Sequence, residues 1–323
     1  MTIVNSLNQV VGNTPLYRFN NDKWDIPKNI ELYGKMEFLN PGGSIKDRTV
    51  MYMFEKMEKE GIIKKGSHIV DANAGNTGVA MAWIGASKGY KITVILPDNY
   101  VVEKQIMMRT LGAEVINVDN EIAETEIPKV LNEYTKNHPD AIFLNQYDNL
   151  RNFEGHYNYT GKEILNELDG NINYFVASAG TGGSFTGISK YLKDQNKSIR
   201  AILVNPEGSI YSGKPAGKFK VAGVGNHFFP KNLDLNIADE IIDYKDVCAH
   251  KMVKELAAKT GMLLGTASGL NVYGCLKLID KIKETKEKIR IVTLLTDDGW
   301  RYISEDIYDA SKYVEIKSKL LVK

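Results

Sequence analysis

The chain has few of the residues that staple or metallate small proteins. Its 323 residues include two cysteines, Cys248 and Cys275, far apart and without a Cys-x-x-Cys or Cys/His cluster. That excludes a disulfide framework and argues against a structural zinc site. The five histidines, His68, His138, His156, His227 and His250, show no ligand spacing, so no metal is expected. Excess charge is missing too. Against 41 Lys and Arg stand 40 Asp and Glu, a formal +1, which gives no electrostatic case for nucleic acid or an anionic membrane. No apolar run approaches the roughly 20 residues of a membrane span. The first residues, MTIVNSLNQVVGNTPL, lack the basic stretch and long apolar run of a signal peptide. These absences leave a globular protein expected in the cytoplasm.

What is present is alternation. Strand-like runs at 68–71, 91–97, 113–119, 141–146, 172–178, 199–206 and 290–296 are separated by amphipathic stretches near 79–88, 103–111, 124–136, 185–193, 246–260 and 269–283. A β-α-β series of this kind predicts α/β architecture with mainly parallel, open twisted sheets. The series breaks near 147–160, which predicts a domain boundary, and 207–232 is long and irregular. In open α/β sheets ligands bind beyond the carboxyl ends of strands, so the residues just after each strand matter most.

Four such ends are unusual. After HIVD comes Ala72-Asn73-Ala74-Gly75-Asn76-Thr77-Gly78. Its glycines, amides and hydroxyl suit a small anion at a helix start, although a tight turn would also need glycine. After INYFVAS comes Ala179-Gly180-Thr181-Gly182-Gly183-Ser184-Phe185. Phe185 stands where a dinucleotide fingerprint needs glycine, and no lysine follows as in a P-loop. What remains is a glycine nest with two hydroxyls, suited to one phosphate monoester. Two acids, Asp297 and Asp298, follow RIVTLLT, and Gln146 follows AIFLN. Separately, NPGGSIKDR (40–48) predicts a turn and then a helix reaching to Gly61, with Ser44 as N-cap and Asp47 completing an imperfect capping box. Lys46 then sits in the first turn, where the helix dipole disfavours positive charge. A neutral, nucleophilic amine fits there. So does a lysine that points into water with Asp47 offsetting its charge. A phosphate cradle, an amine, an Asn and an acid together form the set that pyridoxal phosphate needs.

In their order and spacing, VGNTPL (11–16), NPGGSIKDR, AGNTG, NQY, GTGGSFTG, GVG (223–225) and DDGWRY resemble the cysteine synthase / cystathionine β-synthase family. These are pyridoxal-phosphate enzymes of fold type II, tryptophan synthase β-like, and the likeness runs over most of the chain. The resemblance implies two α/β domains. The smaller would comprise 1–12 and 34–147 and move on substrate binding; the larger would comprise 13–33 and 148–323 and carry the phosphate loop. It implies that Lys46 binds the cofactor covalently and shuttles protons, and that Asn76 bonds the cofactor's ring hydroxyl oxygen. Gly180, Thr181, Gly182, Gly183 and Ser184 would hold the phosphate, and Gly225 would lie beside the ring. Asn73, Ala74, Gly75, Thr77 and Gln146 would surround the substrate carboxylate. The resemblance implies a partner set as well: an amino-acid substrate, a thiol or sulfide, and a second copy of the chain in a homodimer.

Two departures stand out. The family usually places Ser or Thr opposite the pyridine nitrogen, where this sequence has Asp297 and Asp298; Asp297 is preferred as the residue facing the ring. Asn73-Ala74 replaces the Thr-Ser usual in cysteine synthases and weakens any strict O-acetylserine preference. The implied reaction is β-replacement on a serine- or cysteine-type amino acid through an aminoacrylate, forming L-cysteine or a thioether. If sulfide leaves, the same machinery consumes cysteine, releases hydrogen sulfide, and yields lanthionine or serine. α,β-Elimination is a further option within the fold type. A non-catalytic, ligand- or partner-binding descendant is the rival of another class, and intact Lys46, Asn76 and phosphate loop speak against it.

Overall fold

The computed structural model describes residues 3–72, 75–98, 100–119 and 127–308. In chain order the elements are β1 (Leu16–Arg18), α1 (Asn21–Trp24), β2 (Ile30–Met36), α2 (Lys46–Lys59), β3 (His68–Ala72), α3 (Asn76–Lys88), β4 (Lys91–Pro97), α4 (Val102–Thr110), β5 (Glu114–Val118), α5 (Ile127–Asn137) and β6 (Ala141–Phe143). Next come α6 (Arg151–Gly155), a π-helical turn (His156–Thr160), α7 (Gly161–Glu167), β7 (Tyr174–Ala177), α8 (Gly183–Gln195), β8 (Arg200–Pro206), β9 (Glu240–Tyr244), α9 (Asp246–Thr260), α10 (Thr266–Ile282) and β10 (Ile289–Leu295).

Two sheets result. One has the order β1-β2-β10-β7-β8-β9 and is parallel except for β1; the other, β5-β4-β3-β6, is parallel throughout. Strands such as KITVILP are β-branched and buried on both faces, as parallel strands under two helical layers must be. On one face of the six-stranded sheet, Val176, Ile202 and Ile291 pack with Leu256 of α9 and Leu270 of α10. On the other, Phe175, Leu203 and Val292 meet Phe185 and Ile188 of α8 and Ile164 of α7. The four-stranded sheet is covered by α2, α3 and α4 on one side and by Leu131 of α5 on the other.

The expected division between residues 33 and 34 falls inside β2. That strand is continuous, and its register with β10 runs from Ile30↔Ile289 to Met36↔Leu295, so the six-stranded unit keeps it whole. The break expected near 147–160 is filled by helix: α6, the π turn and α7 run on without interruption. Their inward face is polar, with Asn152, His156 and Thr160 buried, which hides the helical period from an apolar count. Among the described residues no helix is long and apolar enough to cross a membrane.

Candidate active site

The turn before α2 is tied to the end of β10. Ile45 N–H donates to Thr296 O at 2.9 Å, Asp298 N–H donates to Gly43 O at 3.1 Å, and Ser44 bridges Asp297. Gly43 lies at φ +79°, and a side chain there would run into the Asp298 carboxylate and the Arg301 guanidinium. That is the structural reason for glycine before the lysine. The expected capping box does not form. Ser44 Oγ accepts only from Lys46 N–H, at 3.3 Å. Asp47 turns instead to Gly42 N–H (2.5 Å) and Trp83 Nε1 (3.0 Å), and burial pushes its carboxyl up to about 7.

Lys46 does not point into open water. Desolvation pulls its amine down to about 8, against the opposing charge of Asp297. Close behind it lies His156, fully buried between Thr49 Oγ1 and Thr160 Oγ1, each 3.0 Å from a ring nitrogen. Burial and the positive charges of Lys46 and Arg48 hold its pKa well below the usual value. Arg48 pairs with Glu37 at 2.6 Å and Glu163 at 2.7 Å, and Lys35 pairs with Glu163 at 3.0 Å and Glu167 at 2.7 Å. This buried cluster joins β2, α2 and α7 beneath the lysine.

The two aspartates have separate surroundings. Asp297 is 2% exposed. Its Oδ2 accepts from Asn76 Nδ2 at 2.7 Å and from the Tyr302 hydroxyl at 2.5 Å, and its Oδ1 accepts from Thr296 Oγ1 at 3.1 Å. Asp298 is committed to its own turn: Oδ1 accepts from Trp300 N–H at 3.0 Å and Oδ2 pairs with Arg301 at 2.7 Å. Arg301 also donates to Asn76 Oδ1 (2.8 Å) and Gly42 O (2.6 Å), so it fixes the amide that faces Asp297. Arg301 and Tyr302 lie in the DDGWRY motif, but no local spacing predicts these roles for them.

The glycine nest opens α8. Gly182 lies at φ +87°, and the first intrahelical bond runs from Thr186 N–H to Gly182 O at 2.9 Å. The amides of residues 183–185 therefore have no acceptor within the helix. A Cβ on Gly182 would lie 2.6 Å from the backbone nitrogen of Leu233, one on Gly180 would strike Gly223 O, and one on Gly183 would strike Asn152 Oδ1. Asn152 Nδ2 donates to Thr181 Oγ1 (2.9 Å) and Gln146 O (2.8 Å), whereas its buried Oδ1 has no hydrogen-bond partner. From behind, Tyr211 OH and Asn226 Nδ2 both donate to Gly180 O, at 2.7 and 2.8 Å. Asn226 thus braces this loop, while the exposed His227 donates to Gly217 O at 2.9 Å, away from it. Gly225 donates its N–H to Ala179 O at 2.8 Å. Gln146 and Thr77 are buried together, with Thr77 Oγ1 donating to Gln146 Oε1 at 2.6 Å. Gly75 opens α3 with free space around it. Asn73 and Ala74 lie outside the described residues.

A glycine cradle with open amides, together with an amine of lowered pKa beside an Asn–Asp pair, fits a phosphorylated aldehyde cofactor. Residues 7–297 match the family model described as pyridoxal-phosphate dependent enzyme, and the chain belongs to that family. Its fold is that of the type II enzymes, and its cofactor is pyridoxal phosphate. The O-acetylserine dependent cystathionine beta-synthase of Bacillus subtilis (strain 168) is 36% identical over 310 residues, 96% of this chain and 99% of that protein. Among solved structures, the O-acetylserine dependent cystathionine beta-synthase of Helicobacter pylori is 35% identical with a TM-score of 0.88, covering 95% of this chain and 100% of the other. A hydrogen sulfide-producing enzyme from Fusobacterium nucleatum is 36% identical with a TM-score of 0.87, covering 93% and 100%.

Proposed function

We propose that the protein catalyses β-replacement on a serine- or cysteine-type amino acid, forming cysteine or a thioether amino acid. The observation that carries this reading is the meeting of Lys46, Asn76 and Asp297 at the end of β10. When bound, pyridoxal phosphate supplies the electron sink that lets an α-carbon lose its proton and a β-substituent depart. Gly180, Thr181, Gly182, Gly183 and Ser184 would hold its phosphate, Lys46 its aldehyde carbon, and Asn76 its ring hydroxyl oxygen. Gly225 would lie beside the ring, and Asp297 would face the ring nitrogen.

The residues of the chain then do the following. Lys46 Nζ, with a pKa near 8, is populated in both protonation states close to neutrality and can take and return the α-proton. Thr77 occupies the oxygen of Gln146, which leaves the Gln146 amide N–H groups as donors for a substrate carboxylate. Gly75 would complete that seat, and the motif assigns Asn73 and Ala74 to it as well. Asp297 favours a proton on the ring nitrogen. That charge helps poor leaving groups most, which supports serine and cysteine as substrates beside O-acetylserine. With cysteine the leaving group is sulfide, and the product is lanthionine from a second cysteine or serine from water; the hydrogen sulfide-producing relative supports this arm. The four-stranded unit is the part that closes over the substrate. Two free cysteines suit a reducing cytoplasm. Exposed Ile3, Val4 and Leu7 favour association as a homodimer.

The test is to mix the holoenzyme separately with O-acetylserine, serine and cysteine, with and without homocysteine or sulfide, and to identify products by mass. Cysteine, cystathionine or lanthionine supports the proposal. Pyruvate and ammonia alone would replace it with α,β-elimination. A yellow protein whose spectrum no amino acid alters would overturn it in favour of a ligand-binding descendant.

A further inference from the structure

Lys104 is a second lysine in the first turn of a helix, α4, and it is 3% exposed. Burying an ammonium is costly unless its surroundings compensate. Desolvation does pull the amine down to about 8, and what offsets part of that cost belongs to the other sheet's segment. The Nζ lies 4.0 Å from the centre of the Tyr302 ring, in the fields of Asp297, Asp298 and Glu305 and opposed by Arg301. Tyr302 is the phenol that donates to Asp297 Oδ2. The same end of α4 makes two further ties to this segment. Val101 packs against the cluster of Val253, Tyr302 and Ile307, and the Glu103 carboxylate accepts from Ser304 N–H and, at 2.6 Å, from Ser304 Oγ. The start of α4 is therefore fastened at three points to the stretch that orients Asp297.

We infer that Lys104 is a positioning residue for the reaction: seated on the Tyr302 ring, it holds that phenol on Asp297 and couples the placement of α4 to the acid at the cofactor's ring nitrogen. The inference rests on the functional reading above for the place of the cofactor and for the movement of the four-stranded unit. A desolvated ammonium over a phenol ring is attracted by the ring's negative face. Moving α4 away removes that attraction together with the Glu103 and Val101 contacts. Tyr302 then loses its outer support, and Asp297 keeps only Asn76 and Thr296 as donors. Opening of the four-stranded unit and loosening of the acid thus become one event. Lys104 itself touches neither cofactor nor substrate.

The test compares wild type, Lys104→Met, Lys104→Arg, Tyr302→Phe and the Lys104→Met/Tyr302→Phe double variant. Met keeps the length and apolar stem of lysine without its charge. Each apo-protein is titrated with pyridoxal phosphate, the absorbance of the holo form is recorded, and kcat and KM are measured on the amino acid that wild type turns over. Lys104→Met should raise the cofactor Kd about tenfold, alter the absorbance band, and lower kcat about tenfold with KM changed by less than about twofold. Lys104→Arg should recover most of each. The double variant should be no worse than Tyr302→Phe alone, because the two changes break one pathway. Additive losses in the double variant overturn the inference. So does a Lys104→Met protein with a lower melting temperature but wild-type Kd, spectrum and kcat. If wild type binds cofactor but converts no amino acid, the functional reading fails, and the Kd cycle still decides the role of Lys104.

Discussion

Replacing Gly182 by alanine separates a structural cost from a cofactor cost. At φ +87° an L-residue pays about 1–2 kcal/mol for the left-handed backbone. The new methyl would also lie 2.6 Å from both the nitrogen and the Cα of Leu233. These are backbone atoms that cannot swing aside, and overpacking of this kind adds about 1–3 kcal/mol. The two parts sum to roughly 2–5 kcal/mol of lost stability. Gly61 provides the control. It has φ +72° and nothing within 4 Å of a built Cβ, so Gly61→Ala should lose only the backbone part, about 1–2 kcal/mol. The push on Leu233 does not end there. Its neighbour Asn232 donates to Gln146 O at 3.1 Å and Tyr147 O at 2.7 Å, so displacement of this stretch reaches the carboxylate seat. Urea unfolding of both apo-proteins and titration with pyridoxal phosphate are the assays. Gly182→Ala should show the larger stability loss, a cofactor Kd raised tenfold or more, and a raised KM for the amino acid, with turnover per bound cofactor much less changed. Equal stability losses at the two positions, or full cofactor occupancy at ordinary concentrations, would refute the reasoning.

Lys46→Ala should abolish turnover while leaving the fold intact, and borohydride reduction followed by peptide mapping should find the cofactor on Lys46; a label on another lysine sinks the assignment. Because the folded pKa of Lys46 lies near 8, below the ordinary 10.5, the neutral amine grows as pH rises through 8. The rate at which apo-protein captures cofactor should climb between pH 7 and 9, and a flat profile contradicts this. The sign for stability is the same. Between pH 8 and 10.5 the unfolded chain binds the extra proton, so the penalty for burying Lys46 is fully present below 8 and fades above it. Asp297→Ser should retain bound cofactor and slow serine and cysteine more than O-acetylserine, whereas Asp298→Ser should chiefly loosen the Arg301 turn. Unchanged substrate ratios in both variants would mean that neither acid tunes the cofactor. Tyr211→Phe removes one of two donors on Gly180 O and should raise the cofactor Kd about threefold to tenfold, since a hydrogen bond of this sort contributes about 1 kcal/mol; no change in Kd would make the phenol irrelevant to the loop.

The regular core was plain in the sequence. The runs 91–97 and 246–260 are β4 and α9 to the residue, because a short continuous β-branched run marks the one and a helical apolar period the other. β2 escaped because IELYGKM alternates charge into its burial. Lys35 is fully enclosed by ion pairs with Glu163 and Glu167, and Glu31 pairs with Arg290 at 2.7 Å, so these partners of the strand's charged residues lie more than a hundred residues away. β1 has three residues and β9 is half-buried throughout, too short or too mixed for a period-2 signal. At the site, Lys46, Asn76 and the glycine loop were legible as motifs. Arg301 and Asn152 were not, since each acts through a partner distant in sequence: Arg301 on Asn76, and Asn152 on Thr181. Tyr302 was not either: its partner Asp297 is five residues back, but no local pattern marks that contact. Lys104 carried a usable signal, a lysine at the positive end of a helix, the same one that drew notice to Lys46.

The strand order of the larger sheet fixes when this enzyme can come into being. β10 lies between β2 and β7, yet it is the last described strand to leave the ribosome. Until residues 289–295 are made, β2 has only β1 beside it, and β7, β8 and β9 form a separate three-stranded piece. The lysine, the phosphate cradle and the four-stranded unit are all synthesised by then, but the Asn–Asp–Tyr set that completes the site is not. Insertion of one strand between two others closes loops of more than a hundred residues, a slow step by topology. Completion of the site therefore waits on a single zippering step, which sets β10 between strands made more than a hundred residues earlier.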